Sequence, residues 1–327
     1  MRNFEFHRAG DEARALDAAR GGGQFIGGGT TMLDLMKLDV MRPDALVDIA
    51  GISGLAEISL TDDQLRIGAL VSMSELAAHE QVAAAYPVLT QTLTLAASQQ
   101  LRNMARLGGN VLQRTRCSYF RDTKFAQCNK RAPGSGCAAL DGNNKMHAIL
   151  GGSAHCVATY PGDWAQSLIA LDAHIELHGP AGKRVIKFAD LHRLPDATPH
   201  IETNLQTGEL ITAFIIQDGP WPRSRYVKVR DRESYEFGLA TAAVALRLEG
   251  EVVREARIAL GGVATIPWRS RAAETSLQGR SLNEISASEA ADAAFIDAKT
   301  LSGNAYKLPL GKATLIRALL EAKEMRI

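Results

Sequence analysis

A chain of 327 residues, 46% hydrophobic and 22% charged, has enough apolar content to bury a large core and enough length for two or three domains. Its net charge of +1 supplies no basic face for a polyphosphate backbone, so neither nucleic acid nor an anionic membrane is an expected partner. No apolar run approaches the roughly twenty residues that cross a bilayer, and Met1-Arg2-Asn3-Phe4-Glu5-Phe6 lacks the apolar segment of a secretory signal. The expected location is the cytoplasm, or the periplasm if a signal-bearing partner carries the folded chain out.

Residues 2–6 alternate like a short strand, and 11–20 place Ala13, Leu16 and Ala19 at helical spacing before Gly21-Gly22-Gly23 ends the helix. Gln24-Phe25-Ile26 reads as a strand running into Gly27-Gly28-Gly29-Thr30-Thr31, with a helix from Met32 to Leu38. Strand, glycine loop and helix together bring backbone N–H groups up to an anion, and a diphosphate would fit there. The spacing matches neither G-x-G-x-x-G nor G-x-x-x-x-G-K-[ST], so a plain flexible turn competes with that reading. A strand over 44–49 closes a small α/β unit, residues 1–52.

Strands over 55–60 and 64–69, a helix capped by Ser72 and a second over 88–97 lead to Leu107-Gly108-Gly109-Asn110. Asn110 either holds a cofactor by its amide or merely caps the turn. All four cysteines follow, Cys117, Cys128, Cys137 and Cys156, as C-x10-C-x8-C-x18-C. Clustering of this kind asks for a shared ligand or shared bridges. The C-x2-C knuckle of structural zinc sites is missing, which disfavours zinc without removing it. Arg121, Lys124, Lys130, Arg131, Gly134 and Gly136 supply the cations and free amides that an anionic iron-sulfur cluster needs. Two disulfides remain the bland alternative, less needed in a chain with a core of its own.

Beyond the cysteines, a helix over 164–171 begins after Pro161-Gly162-Asp163, where Asp163 either caps the helix or accepts from a sugar hydroxyl. Strands over 174–178 and 184–188 complete a second unit, 53–190, and the Pro- and Gly-bearing stretch 191–208 reads as a linker. Strand-like runs over 209–216, 225–230, 239–248 and 252–260, followed by helical segments from Trp268, predict an antiparallel sheet covered by helices across 209–327. The fold class is α+β: a small α/β unit, a larger α+β unit carrying the cysteine loop at 114–158, and this C-terminal domain. No Gly-x-Ser-x-Gly elbow occurs, and His147, His155, His174 and His178 show no ligand spacing, so no catalytic side chain is assigned.

The run Phe25 to Met36, the Leu107-Gly108-Gly109-Asn110 turn, and Tyr226-Val227-Lys228-Val229-Arg230-Asp231-Arg232 with Phe237 together resemble the FAD-binding subunits of the xanthine dehydrogenase family of molybdenum hydroxylases. The resemblance spans essentially the whole chain. It implies that Ile26, Gly27, Gly28, Gly29, Thr30, Thr31, Met32 and Leu33 hold the FAD diphosphate, that Gly108, Gly109 and Asn110 lie along the flavin, and that Leu210 and Lys228 stand near it. The family's ribityl-binding aspartate normally comes a few residues after the GGN turn; here Thr159-Tyr160-Pro161-Gly162-Asp163-Trp164 resembles that motif, displaced by an insertion. Such an insertion resembles the flavin subunits of aldehyde oxidoreductases and of 4-hydroxybenzoyl-CoA reductases, which bind a [4Fe-4S] cluster; Cys117-Ser118-Tyr119-Phe120 and Pro133-Gly134-Ser135-Gly136-Cys137 match the aldehyde branch better. The resemblance implies two partner chains, a [2Fe-2S] subunit and a molybdenum cofactor-binding large subunit. A zinc-stapled assembly module without redox activity is the rival from another class.

Overall fold

A computed structural model describes residues 1–327 as three sheets with helices between them. The first sheet is parallel, in the order β1 (Glu5–Arg8), β3 (Ala45–Asp48), β2 (Gln24–Ile26). Helix α1 (Glu12–Arg20) crosses between its strands, started by Asp11, whose carboxylate accepts from the Arg14 amide at 2.8 Å. Helix α2 (Met32–Lys37) follows the glycine loop.

The second sheet is antiparallel, in the order β4 (Ile58–Leu60), β5 (Gln64–Gly68), β8 (Leu210–Gln217), β6 (His174–Gly179), β7 (Gly182–Lys187). Short helices α3 (Met73–Ala77), α4 (Glu80–Ala85), α5 (Pro87–Thr94), α6 (Gln99–Met104) and α7 (Leu107–Val111) connect it to the cysteine loop, which holds α8 (Ser118–Arg121). Helix α3 opens with a capping box in which Ser72 and Glu75 satisfy each other's amides. Helix α9 (Trp164–Ala170) is buried along its whole length.

Strand β8 corrects the sequence reading, which assigned 209–216 to the C-terminal sheet. It sits at the centre of the second sheet, with Leu65 opposite Ile216 on one side and Ile175 opposite Phe214 on the other. Seven of its eight residues are buried, and such an uninterrupted apolar run fits the middle of either sheet equally well. The stretch 191–208 is likewise no free linker. His192 pairs with Thr203 across a β-bridge and its ring meets the Val111 carbonyl at 2.9 Å, while Glu202 is gripped by Arg114 and Lys130 at 2.5 and 3.0 Å.

The third sheet runs β12 (Trp268–Arg269), β11 (Val252–Gly261), β10 (Ala240–Glu249), β9 (Ser224–Val229), all antiparallel. Helices α10 (Arg271–Leu277), α11 (Glu284–Ala294) and α12 (Lys307–Lys323) pack on one face, and α5 and α9 on the other. Cover on both faces explains why β10 is apolar from Ala240 to Leu246 apart from Thr241. Val227, Ala242 and Val244 enter the core under the C-terminal helices, whereas Tyr226, Ala243 and Ala245 face α9.

Candidate functional site

The glycine loop forms one wall of a cavity of about 450 Å³ lined by Ile26, Gly27, Gly28, Gly29, Thr30, Thr31 and Met32, with Gly109, Arg106 and Arg114 opposite. None of the backbone N–H groups from Gly27 to Met32 donates to an acceptor within the protein. A row of free amides facing a cavity is the arrangement that receives an anion. Two of the glycines are required by geometry. A β-carbon on Gly28 would stand 1.7 Å from the Met104 carbonyl oxygen, and Gly29 has a φ of +72°. Gly28→Ala is expected to push the loop off the end of α6, at a cost of about 1–3 kcal/mol in stability. Flavin content of the purified protein should fall with it, and full flavin retention would show that the loop does not need its present course.

A second cavity, about 250 Å³, begins at Thr30 and Thr31 and continues past Asn110 to Asp163, Lys228 and Phe237. Helix α7 thus divides the two, with Gly109 on one side and Asn110 on the other. Asn110 donates to the Met73 sulfur at 3.4 Å and leaves its Oδ1 buried without a partner; Arg106 Nε in the first cavity is also unpartnered. Buried polar atoms in this state ask for a bound group.

Asp163 occupies the N-cap position just before α9, but its side chain does not cap the helix. Its Oδ2 accepts from Lys228 Nζ at 2.8 Å and its Oδ1 from the Tyr226 hydroxyl at 2.6 Å. The pair is deeply enclosed, the side chains of Lys228 and Asp163 being 1% and 7% exposed. Burial, the Asp163 charge and its hydrogen bond push the Tyr226 phenol well above its usual pKa, so it stays a donor. Each carboxylate oxygen has a further lone pair for a hydroxyl in the cavity.

Not every residue singled out from the sequence reaches these cavities. Leu33 lines neither and touches Gly29 from behind. Gly108 is buried against Ala69. Leu210 is packed into the core beside Leu70 and Ile52, while its neighbour Glu209 lines the first cavity. Sequence reading did not pick out Tyr226 as a site residue, because its partner lies 63 residues away.

The cysteine loop packs beside α2. Asp34 receives Arg121 at 2.8 and 3.1 Å and Arg116 at 3.0 Å; burial works against its charge, but the two guanidinium groups hold its pKa below the usual carboxylate value. Arg116 also lies over the Phe237 ring, 4.7 Å from its centroid. All four cysteines are free thiols sharing one enclosed pocket with Phe120, Asn129 and Lys130. Asn129 ties the loop across itself, accepting from the Gly136 amide at 2.8 Å and donating to the His155 carbonyl at 3.0 Å.

Amides of Tyr119 and Phe120 face the Cys117 sulfur, those of Ala139, Leu140 and Val157 face Cys137, and that of Ala158 faces Cys156. Burial raises Cys117 to about 11, whereas the thiol of Cys156, followed by these amides, brings Cys137 down to about 6. His147, absent from the sequence-derived site, places Nε2 3.1 Å from the Cys117 sulfur. No three His, Cys, Asp or Glu side chains are spaced to close on a single metal ion. Four soft thiols, three of them with amides aimed at them, suit a thiolate-ligated metal centre, iron-sulfur or zinc.

Residues 2–217 match the family described as FAD binding domain in molybdopterin dehydrogenase, and residues 225–322 match the CO dehydrogenase flavoprotein C-terminal domain. The chain belongs to the FAD-binding subunits of the molybdopterin dehydrogenases. The break between the two matches falls just after β8, where the second sheet ends. This flavin subunit is 46% identical over 328 residues to the aldehyde oxidoreductase FAD-binding subunit PaoB of Escherichia coli K12, with 99% of each chain covered. It is 27% identical to the carbon monoxide dehydrogenase medium chain of Hydrogenophaga pseudoflava, over 97% of this chain and 96% of that one. Quinoline 2-oxidoreductase from Pseudomonas putida 86 shares the fold, with a TM-score of 0.76 and 23% identity over 99% of this chain and 98% of that one. The flavin subunit is therefore part of an oxidoreductase, and none of its helices is long and apolar enough to cross a membrane.

Proposed function

We propose that this subunit carries, besides FAD, a [4Fe-4S] cluster on Cys117, Cys128, Cys137 and Cys156, and that it serves a heterotrimeric molybdenum-containing aldehyde oxidoreductase. The other chains in this reading are a [2Fe-2S] subunit and a molybdenum cofactor-binding large subunit. An aldehyde and water become a carboxylic acid on the large subunit, releasing two electrons and two protons. FAD, when bound, collects the electrons. The present chain contributes binding and electrostatics, not substrate chemistry.

The observation that carries the proposal is the four thiols gathered in one pocket, with backbone amides turned toward three of them, in a chain 46% identical to an aldehyde oxidoreductase subunit. That identity favours an aldehyde over an acyl-CoA as the substrate of the assembly. In this reading the free amides of the glycine loop hold the diphosphate, Asn110 and Asp163 hold the flavin half, and Lys228 places a cation beside the ring. A cation there stabilises negative charge on the reduced ring.

The test is an inventory of flavin, iron, acid-labile sulfide and zinc on the anaerobically purified complex. One FAD with about four iron and four sulfide assignable to this chain is the expected result. Zinc in place of iron and sulfide would overturn the cluster and leave a stapled loop on a flavin subunit.

A further inference from the structure

A ring nitrogen meets the sulfur of one cysteine: His147 Nε2 stands 3.1 Å from Cys117 Sγ. The residue is 4% exposed, and its other nitrogen, Nδ1, is buried without a partner. An imidazole buried in this way carries a desolvation penalty that a leucine of similar bulk avoids. Packing alone is therefore a poor account of a histidine at this position.

The groups that hold His147 come from the start of α12 and the turn before it. Gly303 donates its amide to Asn144 Oδ1 at 2.7 Å, and Asn144 Nδ2 donates to Ser302 Oγ at 3.3 Å. Asn304 Nδ2 donates to the carbonyls of His147 and Ala148 at 3.3 and 3.2 Å. Lys307 Nζ donates to the carbonyls of Met146 and Gly262 at 3.1 and 2.6 Å. Asn304 and Lys307 are fully buried. The backbone on both sides of His147 is thus fastened to the C-terminal domain, while Cys117 arrives 30 residues earlier, at the start of α8.

Which nitrogen carries the hydrogen follows from the state of the sulfur. A thiolate that binds a metal offers lone pairs and no hydrogen, so it accepts. A hydrogen on Nδ1 would leave a buried N–H with no acceptor and turn the Nε2 lone pair toward an anionic sulfur. A hydrogen on Nε2 satisfies the sulfur and leaves Nδ1 with a lone pair alone.

We propose that His147 donates its Nε2–H to the Cys117 thiolate and thereby raises the reduction potential of the cluster held there. The proposal rests on the [4Fe-4S] reading of the four cysteines. A hydrogen bond to a ligating sulfur stabilises negative charge on it, and the reduced cluster carries one negative charge more than the oxidised one. The bond therefore makes the cluster easier to fill with the electrons that the assembly releases. His147 acts through Cys117 as a positioning residue, and no proton changes place.

The experiment is a redox titration of the whole complex followed by low-temperature electron paramagnetic resonance, with iron and sulfide measured on the same samples. Fast relaxation separates the signal of a reduced [4Fe-4S] cluster from those of [2Fe-2S] clusters. His147→Leu should lower the ratio of reduced to oxidised cluster at a fixed potential about tenfold, a midpoint about 59 mV more negative for a one-electron couple. His147→Gln, whose amide brings an N–H close to the place of Nε2, should titrate like the parent. A role in packing alone would not separate the two variants in this order. If the Leu variant sheds its cluster while the Gln variant keeps one at the parent midpoint, the need for a donor stands. Parent midpoints in the Leu variant at full iron and sulfide would overturn the hydrogen bond and leave the cluster in place. Equal shifts in both variants, or loss of the cluster from both, would overturn it as well. A parent complex without iron and sulfide on this chain rejects the cluster and the proposal together.

Discussion

Asp163→Ala should strip the complex of most of its FAD and lower the thermal stability of the subunit at the same time. The two effects have separate causes. Lys228 is 1% exposed and keeps only the Leu95 carbonyl, at 3.2 Å, once the carboxylate is gone. Tyr226 loses the acceptor of its 2.6 Å hydrogen bond. Removing one partner of a buried ion pair typically costs about 3–5 kcal/mol, because an uncompensated charge stays behind. Flavin loss follows instead from the missing acceptor in the second cavity. The double variant Asp163→Leu with Lys228→Met distinguishes them: removing both charges should recover much of the melting temperature without recovering flavin. Thermal unfolding and flavin absorbance on the same preparations check this. Parent flavin content in Asp163→Ala would remove the residue from the proposed cofactor site.

What the sequence made legible is what depends on local order. The strand, glycine loop and helix from Gln24 to Lys37 are contiguous, so their backbone requirements appear as adjacent residues. The C-terminal sheet announces itself through β10 and β11, a hairpin whose turn at Gly250 is read directly. Four cysteines within about forty residues could be seen as a group. The remainder depends on partners far apart in the chain. Leu210–Gln217 has the same apolar composition whichever sheet receives it, and only pairing with β5 and β6 decides. His192 and Glu202 look like loop residues until Val111, Arg114 and Lys130 are brought beside them. Asp163 was legible as a helix start, but its geometry is turned to other use: the side chain ignores the helix and faces Tyr226 and Lys228. A local motif shows where a group sits along the chain, and the packing decides which way it points.

Cys137→Ser should remove the cluster iron and leave the segment around it without its main source of order. From Arg116 to Lys145 the buried apolar side chains are Phe120, Cys128 and Ala139 alone, and the regular structure there is the short helix Ser118–Arg121. A stretch with so little apolar burial cannot offset the entropy of fixing its backbone. Ion pairs of Asp34 with Arg116 and Arg121 fasten one end, and Glu202 with Arg114 and Lys130 fastens another. Pairs that remain partly exposed contribute little each. Thiolate ligation of the proposed cluster would therefore be the largest stabilisation available to the segment, as in other small metal-organised units. Cys137 is the informative position because the neighbouring Cys156 thiol and the three amides that face it lower its pKa toward the thiolate that a metal binds. Serine keeps the size but not the soft anion that iron requires. The expected result is loss of iron and sulfide, with limited proteolysis now cutting between residues 117 and 156. FAD should stay bound, because the glycine loop, Asn110, Asp163 and Lys228 all lie on elements outside the segment. Full iron and sulfide in the Ser variant would exclude Cys137 as a ligand. Joint loss of iron and flavin would show that the two proposed cofactor sites form one cooperative unit, coupled through Arg116, which lines the second cavity and adjoins Cys117.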